Sequence, residues 1–239
     1  MYLPKEKISL GYSCEFEDIC FLYPPLIGDI VKVGYNNFLQ YYGLLTITQE
    51  QIQDKFVKNN IDGEIPTPLQ YLFMLSQLPG YNKIVEKAFE FFLHDTVLFL
   101  SNSYEIVVGD IREKHLLSED NFEDFQNCIR ELVGDEPIEK IEENIDPRLA
   151  RMRAKQRLRD QIKNKQAQEK IKYTFSTLML STCCLGVGVT FENIEKLPYA
   201  TMLKFHKLCA DKDKYETDIA SMIAGADSKQ INLEYWVKD

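Results

Sequence analysis

Apolar and polar positions change period several times along this chain, and each change marks an element. Between residues 5 and 23 the apolar set Ile8, Leu10, Tyr12, then Phe16, Ile19, Phe21 and Tyr23 alternates loosely. That period predicts a pair of short strands around residues 13–18, ended by Pro24 and Pro25. From Leu26 the spacing becomes helical through Ile30 and Val33, then Phe38, Tyr41, Tyr42 and Leu45, with a break or kink at Gly34. Thr48, with Gln51 three residues on, has the form of a capping box ahead of Ile52, Phe56 and Val57. Residues 59–68 hold Asn, Asp-Gly and two prolines, a loop signal. Thr67 followed by Pro68 opens the next helix, which carries Leu69, Leu72, Phe73 and Leu75. Pro79-Gly80 interrupts, and Ile84, Val85, Ala88, Phe89, Phe92 and Leu93 line one broad face of another helix.

After His94 the pattern shortens and turns β-branched and aromatic. Residues 96–100 and 104–108, separated by Ser101-Asn102-Ser103, predict a β-hairpin, with residues 114–117 as a third strand. Ser118 then caps a helix with acids in its first turn and Phe122, Phe125, Ile129, Leu132 and Val133 inward, ended by Gly134. Further on, residues 173–187 read as a buried helix ended by Gly186 and Gly188. Thr190 caps a short helix, and Pro198 starts another bearing Met202, Leu203, Phe205, Leu208 and Cys209. The polar block 212–217 leads into a last helix with Tyr215, Ile219, Met222 and Ile223, and Gly225 as its C-cap. Alternating Ile231, Leu233 and Tyr235 suit a strand that packs back or an adhesive tail. Three short helices also describe a helix-turn-helix, but the second and third carry few arginines and no polar face for base edges. The expected fold is therefore α+β and mainly helical. It comprises an N-terminal mixed domain with a β-hairpin (1–134), an acidic boundary plus basic connecting helix (135–172), and a small C-terminal helical domain (173–239).

Charge sharpens this layout. The 239 residues include 28 basic and 37 acidic ones, a net −9. Yet residues 148–172 hold ten basic residues against Asp160 and Glu169, a local +8, so the remainder carries −17. Good helix formers dominate the segment, and no Gly or Pro interrupts it after Pro147. Its eight leading cations, Arg148, Arg151, Arg153, Lys155, Arg157, Arg159, Lys163 and Lys165, are the candidate partner-binding residues. Three readings stay open: a solvated connecting helix, a docking helix for an acidic protein surface such as another copy of this chain, or a nucleic-acid contact. The acidic remainder and the lack of interleaved aromatics weigh against nucleic acid.

Composition adds a core and removes most chemistry. With 45% hydrophobic residues, 14 Phe and 13 Tyr, the chain has material for a packed interior. No apolar run reaches the length of a membrane span, and the first residues lack the pattern of a secretory leader. A cytoplasmic location is expected. The six cysteines form no Cys-x-x-Cys and are expected to be reduced, mostly buried small apolar residues. No phosphate-binding Gly-rich loop, Gly-x-Ser-x-Gly, His-Glu-x-x-His or calcium loop occurs. His94, His115 and His206 are scattered, so no catalytic residue, metal ligand or cofactor is assigned and a non-enzymatic role is expected.

Several segments together resemble a family. These are Ile19-Cys20-Phe21-Leu22-Tyr23-Pro24-Pro25 followed by Ile27-Gly28-Asp29-Ile30, then Phe38-Leu39-Gln40-Tyr41 and Leu44-Leu45-Thr46. Asn121-Phe122 with Cys128-Ile129-Arg130, Asp146-Pro147-Arg148 with the basic run, and Ile223-Ala224-Gly225-Ala226-Asp227-Ser228-Lys229 with Leu233 and Trp236 continue them. Over most of the chain these are similar to proteins encoded beside the tape-measure gene in tailed phages of Gram-positive bacteria, the tail assembly chaperones and their relatives. The resemblance implies a non-enzymatic protein of the host cytoplasm that binds the long helical tape-measure protein, and tail-tube subunits with it. It supplies no catalytic residues. Alternatives are a structural tail or baseplate component of the virion and a nucleic-acid-binding regulator using the basic helix.

Overall fold

Helix starts follow the side chains that cap them. In the computed structural model, which describes residues 3–61, 63–109, 116–138, 174–186, 188–225 and 235–236, Thr48 and Gln51 exchange bonds at the head of α4 (Gln49–Lys58). The Gln51 N–H donates to Thr48 Oγ1 at 3.3 Å and the Thr48 N–H to Gln51 Oε1 at 3.1 Å. Thr67 and Gln70 repeat the motif before α5 (Pro68–Gln77), both bonds at 3.2 Å. The Ser118 N–H donates to Asn121 Oδ1 at 2.9 Å ahead of α7 (Glu119–Val133). Each cap satisfies donors that a helix start leaves bare. Gly34, at φ 86°, separates α2 (Ile27–Val33) from α3 (Tyr35–Leu45), and α6 spans Asn82–Leu93.

Two small antiparallel sheets complete an α+β, mainly helical fold. β1 (Cys14–Phe16) pairs with β2 (Cys20–Leu22) in the register Cys14↔Leu22 and Phe16↔Cys20. Glu17 and Asp18 both take positive φ in the turn between them. The second sheet has the order β3 (Val97–Leu100), β4 (Glu105–Val108), β5 (Leu116–Leu117), with Val97↔Val108 and Ile106↔Leu117 in register. The hairpin and the pairing of its third strand match the sequence expectation.

The interior is one continuous cluster. Phe16, Phe38, Phe73, Phe89, Phe92 and Phe125 are fully buried in it, together with aliphatic residues from α2, α3, α5, α6 and α7. Each such ring contributes roughly 1.5–3 kcal/mol by leaving water. Ile47, Ile52 and Phe56 form a satellite cluster under α4. Ile194, Tyr199, Ala200 and Met202, from the expected C-terminal unit, belong to the main cluster. Backbone bonds seal that join: the Ile27 N–H donates to the Leu197 carbonyl at 2.9 Å and the Tyr199 N–H to the Pro25 carbonyl at 2.8 Å. Gly28 faces the 3-10 turn Ile194–Lys196, where a Cβ would lie 3.0 Å from the Glu195 carbonyl oxygen.

Three expectations change. Residues 5–10 form a helix, α1 (Lys5–Leu10), closed by Gly11 at φ 78°. Its apparent alternation is accidental, since Ile8 is buried but Leu10 is 69% exposed. Residues 175–184 do form a helix, α8 (Phe175–Cys184), but only Thr182 is fully buried and Leu180 faces solvent. The two helices expected after Pro198 are one, α9 (Tyr199–Ile223), 25 residues long. The polar block 212–217 contains no Gly or Pro to stop it, and Lys212 reaches Glu216 one turn on at 3.6 Å. A continuous rod of that length also removes the helix-turn-helix reading. The basic segment, the strand of the tail at 231–233 and most of the acidic boundary lie outside the described residues.

Candidate functional site

All eight nominated cations, from Arg148 to Lys165, lie outside the described residues. The site is therefore sought among groups the fold brings together, and four constellations stand out.

The first is a buried polar junction at the end of α3. Carbonyls in the last turn of a helix have no partner within it, and here α7 supplies them. Gln126 Nε2 donates to the carbonyls of Leu45 (2.9 Å) and Ile47 (3.0 Å), and Arg130 donates to that of Thr46. Asn127 orients the guanidinium through Oδ1 and accepts the Ile138 N–H at 2.9 Å. Burial lowers the Arg130 pKa, and the cation sits at the negative end of the α3 dipole. Every polar group is satisfied by another, so the junction fixes the α3–α7 angle and leaves nothing over for a ligand.

The second is a cleft of about 480 Å³ between α2, α3 and α6. Asp29, Lys32, Asn37, Lys87, Glu90 and His94 ring it. It carries charges of both signs, and Asp29 already holds Lys32 at 2.9 Å. His94 ends α6 at φ 53° with its ring stacked on Tyr23, centroids 4.0 Å apart. The third is His206, whose Nε2 lies 2.9 Å from Thr182 Oγ1 and 3.2 Å from the Leu178 carbonyl. Ser181 Oγ also lies 3.4 Å from Nε2 and donates to the Leu178 carbonyl at 3.0 Å, as Thr182 Oγ1 does at 2.7 Å, so the cluster ties α9 to α8 with both hydroxyls engaged by backbone. The cysteines are free thiols: Cys14 and Cys128 are buried, Cys184 is exposed, and the other three are intermediate. Burial pushes both Cys20 and Cys128 up to about 12, so neither is a thiolate at neutral pH. Among the described residues no group of three His, Cys, Asp or Glu is placed to hold a metal ion.

The fourth constellation is the outer part of α9. The helix spans about 37 Å at 1.5 Å per residue, yet its buried residues, Tyr199, Ala200 and Met202, are confined to the first turn. Beyond them Phe205, Leu208, Tyr215, Ile219 and Met222 recur at spacings of three, four and seven. At 3.6 residues per turn they fall in a stripe about 100° wide. Leu208 and Met222 are exposed and the other three half-buried. Lys212 occupies the remaining position of the seven-residue pattern. His206 and Met202 point to the opposite flank, toward α8 and the core. The stripe begins where α1 leaves the helix: Thr201 Oγ1 donates to the Ser9 carbonyl at 2.9 Å, and Lys204 Nζ approaches Ser9 Oγ at 3.4 Å. Sequence reading missed it by dividing the stripe between two helices. The unbroken run of helix formers from 199 to 224 was the available signal.

Among the described residues no helix is long and apolar enough to cross a membrane. No protein family, characterised protein or solved structure matches the chain.

Proposed function

We propose that this chain is a non-enzymatic assembly protein that holds another polypeptide, acting in the cytoplasm as a tail assembly chaperone for a tape-measure protein, with tail-tube subunits as a second ligand. The observation that carries the reading is α9, a helix far longer than its anchorage in the core. A half-exposed apolar stripe at helical spacing is the surface that a second amphipathic helix recognises. A tape-measure protein, long and helical, offers such faces repeatedly. The +8 run at residues 148–172, set against a −17 remainder, adds an electrostatic means of selecting the partner.

Co-expression with a tape-measure protein, followed by capture, tests this. Retention of the pair, lost on Leu208→Asp with Ile219→Asp, is the expected result. Neutralising Arg151, Arg153, Arg157 and Arg159 is expected to weaken capture further, whereas unchanged capture makes the basic run a spacer. A chain that captures no tape-measure protein, or one found in stoichiometric amount in finished particles, refutes the chaperone reading.

A further inference from the structure

Tyr41 carries a polar group that the fold leaves open. The residue is only 7% exposed, and among the described residues its hydroxyl has no hydrogen-bond partner. Every fully buried side-chain oxygen or nitrogen among them does have one. The Tyr41 hydroxyl differs because it reaches the wall of the cleft between α2, α3 and α6. Burial, with Glu90 close by, raises its pKa, so it keeps its proton and is a donor.

The other groups of the cleft say what that donor meets. On the α2 side Asp29 holds Lys32 at 2.9 Å, and Glu195 adds to the field on Lys32. Asn37 Nδ2 donates to the Val33 carbonyl at 2.8 Å. His94 is stacked on Tyr23. On the α6 side Lys87 and Glu90 lie three apart on the face they share with Phe91. Both are exposed, and among the described residues neither forms an ion pair. The charges lining the cleft cancel, Asp29 and Glu90 against Lys32 and Lys87. A singly charged ion therefore gains little, whereas a molecule bearing both charges meets Lys87 and Glu90 at once. Beneath them the rings of Tyr41 and Phe91, 6.0 Å apart and tilted by 50°, form an apolar floor with Val33. The volume of about 480 Å³ is in the range of small-molecule sites.

We propose that this cleft binds a small zwitterion with an apolar side chain, the class of free aromatic and aliphatic amino acids. The ligand's carboxylate meets Lys87 and accepts the Tyr41 O–H, and its ammonium meets Glu90. Its side chain lies on Tyr41, Phe91 and Val33. The site is separate from the α9 stripe and stands whether or not α9 captures a polypeptide.

Isothermal titration of the full chain with L-phenylalanine, and separately with L-leucine, tests this. Saturable one-to-one binding with a Kd of about 1 mM or tighter is expected. Tyr41→Phe keeps the ring and removes only the hydroxyl, so circular dichroism and the urea midpoint stay at their wild-type values while binding weakens roughly tenfold. Lys87→Met and Glu90→Gln, both at exposed positions, each weaken it by roughly threefold. Two analogues assign the ends of the ligand. Phenylalanine amide lacks the carboxylate, binds more weakly than phenylalanine and no longer responds to Lys87→Met or Tyr41→Phe. N-acetyl-phenylalanine lacks the ammonium, also binds more weakly and no longer responds to Glu90→Gln. No saturable binding of either amino acid up to about 10 mM, or binding indifferent to Tyr41→Phe, overturns the proposal. An analogue held as tightly as phenylalanine also overturns it, because the ligand is then the terminus of a peptide and not a free zwitterion.

Discussion

Replacing Gln126 by methionine isolates one cause of stability. The change keeps the side chain's length and apolar stem but removes the amide that donates to the Leu45 and Ile47 carbonyls at 2.9 and 3.0 Å. Gln126 is only 4% exposed, so water does not readily take its place. A buried acceptor left without a partner costs about 1–3 kcal/mol. Two acceptors, partly relaxed by the neighbouring Arg130, give an expected loss of about 2–4 kcal/mol. With a urea dependence of about 2–3 kcal/mol per molar, the unfolding midpoint falls by roughly 1 M, with an unchanged slope. Gln126→Glu costs more at neutral pH, because a carboxylate would face two carbonyl oxygens. Equilibrium urea unfolding followed by circular dichroism measures both. A midpoint within about 0.2 M of wild type for Gln126→Met, on that same slope, would show that the end of α3 does not depend on α7 for its hydrogen bonds.

Three further outcomes follow from the packing. Gly28→Ala gains up to about 1 kcal/mol of helix propensity, but its methyl meets the Glu195 carbonyl at 3.0 Å; the clash is expected to prevail by about 1–2 kcal/mol, and a raised melting temperature would contradict the close approach. Phe38→Ala, at a site with no exposure and rings of Phe91 and Tyr199 at 5.8 and 5.2 Å, is expected to lose about 3–5 kcal/mol in the same urea assay. Cys20 and Cys128 hold their protons more tightly folded, near 12, than unfolded, at 9.0. Their contribution is therefore full below pH 9 and lost as pH rises toward 12; Cys20→Ala should flatten the decline of the urea midpoint in that window, and an identical decline would refute the assignment.

What could be read from the sequence was local. Thr48, Thr67 and Ser118 announce their helices because a cap and its partner lie three residues apart. Gly34 announces a break because a helix does not pass through φ 86°. The hairpin at 97–108 is legible because its strands and its turn sit in one short window. Elsewhere a local pattern misled. Ile8 and Leu10 alternate like a strand, but the turn closed by Gly11 makes them a helix with a single inward residue. Residues 212–217 look like a linker when hydrophobicity alone is counted, whereas the backbone continues wherever nothing breaks it. The polar junction was illegible for another reason: Gln126 and Leu45 are 81 residues apart, and no spacing rule joins them. The candidate site shared the earlier failing. Its stripe was cut in two, because the polar block 212–217 reads as the end of one helix and the start of another.

The join between the segment after Pro24 and the stretch around Pro198 bears on how the polypeptide matures as it is made. Tyr35 shares a hydrogen bond with a tyrosine 164 positions later, and Ser9 accepts one from a threonine 192 positions later. On a ribosome the opening helices thus emerge long before the residues that roof them. Helix α6 covers much of them early, through Phe91 and Phe92 against Phe38, but the part that meets Ile194, Tyr199 and Met202 stays open until roughly four-fifths of the chain has been synthesised, so final closure comes late.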